Sequence, residues 1–147
     1  MITLRRFTRG DAEAVKQGFY PDMTVSEAAD MIDEWSSGVF SGRRFDMFAI
    51  VSDGRIVGYV SLYERGRTTA SVGAEIIPCE RGNGAASEAL ALLTRYASEQ
   101  GYRVLLDQVR ADNKASVRLH EKLGFETDGY VYTNQRGHEV LLYVKAI

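Results

Sequence analysis

The chain has little of what disulfide-bonded, metal-binding or membrane proteins depend on. Among its 147 residues are one cysteine, two prolines and two histidines. The single cysteine, Cys79, excludes an internal disulfide and a thiolate metal cluster, so we expect no metal. No apolar run approaches the ~20 residues that span a bilayer, and residues 1–6 carry no apolar signal-peptide core. We therefore expect a cytoplasmic protein with no membrane partner.

An excess of one charge is lacking as well. The chain has 18 Lys and Arg against 20 Asp and Glu, which gives a formal net charge of −2. Without a basic excess it offers no general attraction for nucleic acid, so we expect no nucleic-acid partner. The remaining composition, 45% apolar and 26% charged, is typical of a globular protein. The length fits one domain, residues 1–147.

Hydrophobic periodicity predicts an alternation of strands and helices. The predicted strands are residues 2–7, 45–51, 56–63, 68–77, 102–109, 125–132 and 139–145. The predicted helices are residues 10–20, 26–37, 85–101 and 113–123. Asp53-Gly54 predicts a tight hairpin turn, and Gly73 suggests a β-bulge. We expect a mixed α/β (α+β) fold whose sheet is mostly antiparallel, antiparallel over its first four strands, and flanked by helices.

A glycine-rich segment lies between the fourth predicted strand and the third predicted helix. Its residues are Arg81, Gly82, Asn83, Gly84, Ala85 and Ala86. Small residues let the backbone turn tightly and point several N–H groups at one spot, where the helix dipole also favours an anion. Arg81 can add a charge-assisted hydrogen bond. The pattern predicts a phosphate site.

The glycine-rich segment is also compatible with simpler or different roles. It can simply turn the chain. In a dinucleotide-binding fingerprint Asp107 would contact the ribose, but Ser87 replaces the third glycine and the preceding strand belongs to a hairpin meander. No Gly-Lys-Ser or Gly-Lys-Thr follows the glycines, which excludes a P-loop.

A second motif follows about thirty residues later. Residues 113–125 read Asn-Lys-Ala-Ser-Val-Arg-Leu-His-Glu-Lys-Leu-Gly-Phe, with Asn113 near a helix N-cap and Gly124 just past the helix end. Together, in this order, the two motifs resemble the GNAT superfamily of acetyl-CoA-dependent N-acetyltransferases. The acyl-CoA pattern of that superfamily falls on Arg81, Gly84 and Ala86, and its later helix pattern ends in Leu-Gly-Phe.

The resemblance implies a GNAT-like fold, acetyl-CoA as cosubstrate and an amine acceptor. Residues 82–90 look like the branch that acetylates ribosomal-protein N-termini, whereas residues 119–125 look like the phosphinothricin-type branch. The acceptor therefore stays open between a small primary amine and a protein N-terminus. A catalytically weak CoA-binding or regulatory module on the same fold is the alternative, because fold does not guarantee chemistry. A homodimer is compatible with both of these functions, the acetyltransferase and the CoA-binding module.

The resemblance also implies roles for individual residues. Glu75 is expected to accept the amine proton, directly or through water, and a backbone N–H near Ile76 or Ile77 to stabilise the oxyanion. Asn113 is expected to bind the pantetheine arm. Simpler roles stay open, because Glu75 can be a solvated strand residue and Asn113 a plain N-cap.

His120 is the residue where the chain departs from the family pattern. Asn113, Ser116 and His120 share one polar stripe of the predicted helix, while Ala115, Leu119 and Leu123 form the expected core stripe. The family commonly has tyrosine at the position of His120, close to the thioester sulfur. A histidine there can protonate the leaving thiolate, act as a base or fill space.

Further candidates are less specific. Cys79 adjoins the glycine loop, but no motif places a base beside it. An acceptor pocket can draw on five aromatic residues, Phe19, Tyr20, Trp35, Tyr130 and Tyr132. The acids Asp30, Asp33 and Glu34 can attract a cationic amine or form a solvated helix face.

Overall fold

The computed structural model describes residues 1–147. Its strands are β1 (Ile2–Arg6), β2 (Val39–Phe40), β3 (Arg43–Ser52), β4 (Arg55–Glu64), β5 (Thr69–Ile76), β6 (Val104–Arg110), β7 (Tyr132–Thr133) and β8 (Glu139–Ala146). Its helices are α1 (Ala12–Phe19), α2 (Val25–Ser36), α3 (Ala85–Glu99) and α4 (Lys114–Lys122). The expected mixed α/β fold is confirmed. None of the four helices combines the length and the apolar character needed to cross a bilayer.

The strands form one sheet in the order β1-β3-β4-β5-β6-β8-β7, with β2 paired to β3. All pairs are antiparallel except β5 and β6, which run parallel. These two strands pair only from Thr69 to Ser71 against Val104 to Leu106, although both continue beyond that point. A gap therefore opens in the middle of the sheet, toward the C-terminal ends of β5 and β6.

Helices cover both faces of the sheet. Helix α3 presents Ala89, Leu90, Leu93 and Ala97, at helical spacing, to a core of 17 buried residues. On the opposite face α1 and α2 enclose a second cluster of eight buried residues, which includes Val15 and Ile32. The gap between β5 and β6 therefore lies in a sheet that helices cover on both faces.

The hairpin turn between β3 and β4 is confirmed. Asp53 and Gly54 both have positive φ, 51° and 77°, as a tight hairpin turn requires. The bulge suggested at Gly73 is wrong, because Gly73 stays in regular register opposite Ser61. The irregularity lies between Ile50 and Val51 instead. Gly73 serves close packing, since a Cβ there would come within 2.9 Å of the Ser61 hydroxyl.

The strand predicted at residues 125–132 is wrong in most of its length. Only an isolated bridge from Glu126 to Val144 and the two residues of β7 pair with β8. Gly129 has a φ of 78°, and the Asp128 carboxylate accepts the Tyr130 N–H, so a side-chain turn breaks the strand.

The predicted core stripe of α4 is also partly wrong, because Ala115 is exposed.

Candidate active site

The glycine loop connects β5 to α3 through a 3₁₀ turn at Pro78–Glu80. Gly82 and Gly84 have φ of 86° and 77°, a left-handed region that disfavours other residues. Nothing lies within 4 Å of a Cβ built on either glycine, so both face open space. The loop therefore needs glycine for its backbone conformation, and it leaves room for a ligand against that backbone.

The start of α3 offers a series of free donors. None of the backbone N–H groups of residues 82–87 donates to a protein acceptor. Gly84 is the N-cap residue and has no side chain to satisfy them. Six consecutive free donors at the positive end of a 15-residue helix suit an anionic group. The residues present fit the diphosphate of an acyl-CoA.

Arg81 turns away from these donors and back onto β5. Its Nη2 lies 3.2 Å from Oε1 of Glu75, and its Nε donates to the Ile76 carbonyl at 3.1 Å. Two residues expected in separate roles thus contact each other. Both side chains are about half exposed, 58% and 48%, so solvent and salt screen this ion pair.

A cavity of about 270 Å³ occupies the gap between β5 and β6. Strand β5 contributes Gly73, Ala74 and Ile76 to its wall, and α3 contributes Ala86 and Leu90. The other wall consists of residues from β6 and α4, namely Asp107, Gln108, Val109, Arg110, Asn113, Ser116, Leu119 and His120. The cavity therefore begins beside the free donors of α3 and continues into the sheet.

The backbone hydrogen bonds of β5 distinguish between the two expected oxyanion donors, the N–H groups of Ile76 and Ile77. The Ile77 N–H donates to the Val57 carbonyl of β4 at 2.9 Å, so it is occupied. Backbone groups alternate in direction along a strand, which points those of Ile76 away from β4 and into the gap. Ile76, and not Ile77, is the candidate donor.

Helix α4 begins as the sequence predicts. Asn113 is its N-cap, and the Asn113 side-chain oxygen accepts the Ser116 N–H at 3.1 Å. Asn113 also lines the cavity, as does Ser116. The capping role and a ligand-binding role are therefore compatible at Asn113.

His120 is buried, with 3% of its surface exposed. Its Nε2 lies 2.7 Å from Oδ2 of Asp107, and its Nδ1 lies 2.8 Å from the Ser116 carbonyl oxygen. Burial disfavours the charged imidazolium, but the hydrogen bonds to Asp107 and Ser116 outweigh it and raise the pKa of His120. Burial also raises the pKa of Asp107, against the opposing effect of its bond to His120. Neither ring nitrogen is free.

The sequence interpretation missed Asp107 as a partner of His120. One signal could have found it, because Leu105, Asp107 and Val109 alternate along β6 and share the face that packs against α3 and α4. A carboxylate between two buried apolar residues requires a partner. The polar stripe of α4, which contains His120, offers that partner.

The opposite face of the sheet carries an aromatic cluster near Glu75. Tyr59 lies directly across from Glu75 in the β4–β5 pair, and its ring is 4.9 Å from Phe19 and 6.1 Å from Trp35. Burial raises the pKa of Tyr59, and a hydrogen bond with Tyr20 adds to the effect. The sequence interpretation named three of these aromatic residues but missed Tyr59.

The remaining candidates lie elsewhere. Tyr130 is 68% exposed, and Tyr132 lies in β7 at the far edge of the sheet. Asp30 and Asp33 form ion pairs with Arg9 on the surface. Cys79 is exposed on the 3₁₀ turn. The structure brings none of these into the cavity.

Residues 2–126 match the family described as the acetyltransferase (GNAT) domain. The chain belongs to the GNAT acetyltransferase family. This confirms the resemblance carried by the two sequence motifs.

Relatives of this GNAT chain include two proteins of Bacillus subtilis. The SPbeta prophage-derived uncharacterized N-acetyltransferase YokL is 31% identical over 105 residues, which cover 69% of this chain and 59% of YokL. The uncharacterized N-acetyltransferase YoaA is 29% identical over 165 aligned positions, covering 97% and 91% of the two chains. An L-methionine sulfoximine/L-methionine sulfone acetyltransferase of Pseudomonas aeruginosa is 32% identical over 81 residues, covering 52% of this chain and 47% of that protein.

Solved structures share the fold. RimJ of Mycobacterium smegmatis, in complex with CoA-disulfide, superimposes with a TM-score of 0.85 at 20% identity, covering 99% of this chain and 81% of RimJ. RimL, a ribosomal L7/L12 alpha-N-protein acetyltransferase in complex with coenzyme A, gives a TM-score of 0.85 at 21% identity, with 99% and 94% covered. At these identities the likeness concerns the fold alone.

Proposed function

We propose that this protein transfers the acetyl group of acetyl-CoA directly to a primary amine. The observation that carries the proposal is the row of six free backbone donors at the start of α3, next to a cavity in the β5–β6 gap. The donors suit the diphosphate, with Arg81 at their edge, and the cavity suits the thioester end. Gly82, Asn83, Gly84, Ala85 and Ala86 hold the diphosphate, and Asn113 and Ser116 contact the pantetheine arm.

The acceptor side of the reaction is assigned to β5 and the aromatic cluster. Attack on a thioester requires an amine that has lost its proton. Glu75 lies at the C-terminal end of β5, next to Ile76, and it accepts that proton directly or through water. The Ile76 N–H points into the gap and donates to the carbonyl oxygen as negative charge develops there. The rings of Phe19, Trp35 and Tyr59 form the apolar wall beside Glu75.

The ion pair between Arg81 and Glu75 fits this assignment. A diphosphate carries more negative charge than one carboxylate, so a bound acyl-CoA attracts Arg81 away from Glu75. Glu75 is then free to accept a proton. Binding of acetyl-CoA before the amine follows from this competition.

For the acceptor we propose only its chemical class, a primary amine that belongs either to a small molecule or to a protein N-terminus. The relative that acts on L-methionine sulfoximine supports a small amine, while the shared fold with RimJ and RimL keeps a protein N-terminus in consideration. The test measures thiol release from acetyl-CoA with amino-acid analogues, polyamines, aminoglycosides and ribosomal-protein N-terminal peptides. Rapid release with one class, with the acetylated amine identified by mass, supports the transferase. Tight CoA binding without release from any amine would instead indicate the CoA-binding module.

A further inference from the structure

The hydrogen-bond partners of the two ring nitrogens of His120 indicate where its protons lie. The Ser116 carbonyl oxygen 2.8 Å from Nδ1 can only accept a hydrogen bond, so Nδ1 carries a hydrogen. Nε2 faces a carboxyl oxygen of Asp107 at 2.7 Å, a distance that also requires a hydrogen between the two atoms. The pair therefore holds one shared proton, either on Nε2 or on Oδ2.

Asp107 is the more open member of this pair. The side chain of His120 is 4% exposed, whereas that of Asp107 is 20% exposed, and both line the cavity wall. The imidazole also packs against the rings of Phe125 and Tyr143, at 5.1 and 5.5 Å. A ligand in the gap therefore meets the carboxyl group of Asp107 and not a ring nitrogen of His120.

We propose that Asp107 donates the proton to the departing CoA thiolate and that His120 is the positioning residue that holds this proton on Asp107. The assignment rests on the acetyl transfer proposed above. As the tetrahedral intermediate collapses, the C–S bond breaks and its electron pair goes to sulfur. The shared proton then passes from the Asp107–His120 pair to that sulfur, giving free CoA thiol. The amine gives up one proton through Glu75 to solvent, and the pair regains one from solvent, so protons balance over a turnover.

Few other charged or titratable side chains surround the Asp107–His120 pair. The other charged or titratable side chains around it are Tyr143 and Lys145 on β8, Arg110 on β6 and Glu121 on α4. From β5 and α3 the cavity receives only Gly73, Ala74, Ile76, Ala86 and Leu90. Within the cavity wall, Asp107 and His120 are the groups whose pKa the surroundings raise.

Asp107→Asn is a suitable test because the variant can keep the local hydrogen bonding. With Nδ1–H still donated to Ser116, a neutral His120 has a bare Nε2, which can accept a hydrogen bond from the asparagine amide. The shape is preserved and the shared proton is removed. Asp112→Asn is the matched control, since Asp112 is an exposed residue of the same β6–α4 connection.

The kinetic experiment measures kcat against pH at saturating amine and acetyl-CoA. In the wild type kcat should fall as pH rises through the titration of the pair, because an acid must be protonated to act. Asp107→Asn should lower kcat by about a hundredfold or more and abolish that fall, with the CoA Kd within a few-fold. Asp112→Asn should leave both unchanged. An active wild type whose alkaline limb survives in Asp107→Asn overturns this assignment but not the acetyl transfer.

A second measurement does not depend on turnover. The chain has two histidines, His120 and the exposed His138, so the signals of His120 are readily assigned in 15N NMR titrations of the free protein. His120 should lose its proton above the ordinary histidine pKa of about 6.5 in the wild type and below it in Asp107→Asn. A His120 that titrates at the ordinary histidine value in both proteins would show that no proton is shared. A wild type inactive with every amine refutes the proposed function itself, and this assignment with it.

Discussion

The two walls of the β5–β6 gap differ in how they are exposed. The β5 wall, together with Glu75 on the opposite face of β5, Arg81 and the loop residues 82–86, is largely open to solvent, and the one ion pair of this region joins two half-exposed side chains. The β6–α4 wall, formed by Asp107, Asn113, Ser116 and His120, holds a carboxyl group and an imidazole that are mostly buried. Each side of the gap has one carboxyl group that contacts a nitrogen of a basic side chain, Arg81 for Glu75 and His120 for Asp107.

This difference separates the two proton transfers of the reaction. A carboxylate beside solvent can pass a proton outward, as the base for the amine must. A carboxyl group that shares a proton with a buried histidine keeps that proton until a stronger base, such as a thiolate, arrives. Changes in the β5 wall should therefore affect binding and the base without unfolding, whereas changes in the β6–α4 wall should affect stability as well.

The largest expected effect is on the loop of the β5 wall. Gly84→Val places a branched side chain in the open space in front of the free donors of α3. Losing two or more hydrogen bonds to a charged group, at roughly 1.5 to 3 kcal/mol each, should weaken CoA binding by more than about a hundredfold. Gly137→Val is the control, because Gly137 has a similar φ of 81° in the distant β7–β8 turn. Calorimetry that finds equal CoA affinity in both variants would place the cofactor elsewhere.

The second prediction concerns the base of the β5 wall. Glu75→Gln keeps the shape of the side chain and its contact with Arg81 but removes the basic group. We expect kcat at neutral pH to fall by about a hundredfold or more, with little change in CoA affinity. Glu64→Gln, on the neighbouring strand β4, should be nearly normal. If Glu75→Gln keeps a normal rate and an unmoved acidic limb, the amine loses its proton to a water chain instead.

A smaller effect is expected from Arg81→Ala. The variant loses a charge-assisted bond to the diphosphate, so the CoA Kd should rise by about 5- to 150-fold, equivalent to roughly 1 to 3 kcal/mol. Because it also releases Glu75, kcat at saturating acetyl-CoA should not fall. Arg55→Ala is the control, since the Arg55 side chain is as exposed as that of Arg81, at 57%, and pairs with Glu80 beside the same loop. Tighter CoA binding in Arg81→Ala would mean that Arg81 only blocks the site.

The difference between local contacts and tertiary contacts explains which features the sequence could predict. The glycine loop, the hairpin turn at Asp53-Gly54 and the N-cap at Asn113 depend on neighbours within a few residues, and the structure has all three. The Asp107–His120 bond joins residues 13 apart on a strand and a helix, and only tertiary packing brings them together. The contact of Arg81 with Glu75 was missed for a related reason, because the reversal of the loop decides it. Local side-chain chemistry at Asp128 also overrode the strand pattern of residues 125–132.

The last prediction tests whether the β6–α4 wall links chemistry to stability. His120 has a raised pKa in the folded protein, so its contribution to stability is complete below its unfolded pKa of about 6.5 and is lost as pH rises through the folded value. The free energy of unfolding should therefore decline above about pH 6.5 by up to ~1.4 kcal/mol per pH unit for this one proton. In Asp107→Asn, burial without the carboxylate should lower the pKa of His120 instead. Unfolding by urea between pH 6 and 8.5 should then show that decline in the wild type and in Asp112→Asn but not in Asp107→Asn. Parallel curves for all three proteins would mean that the buried pair holds no extra proton in the folded state.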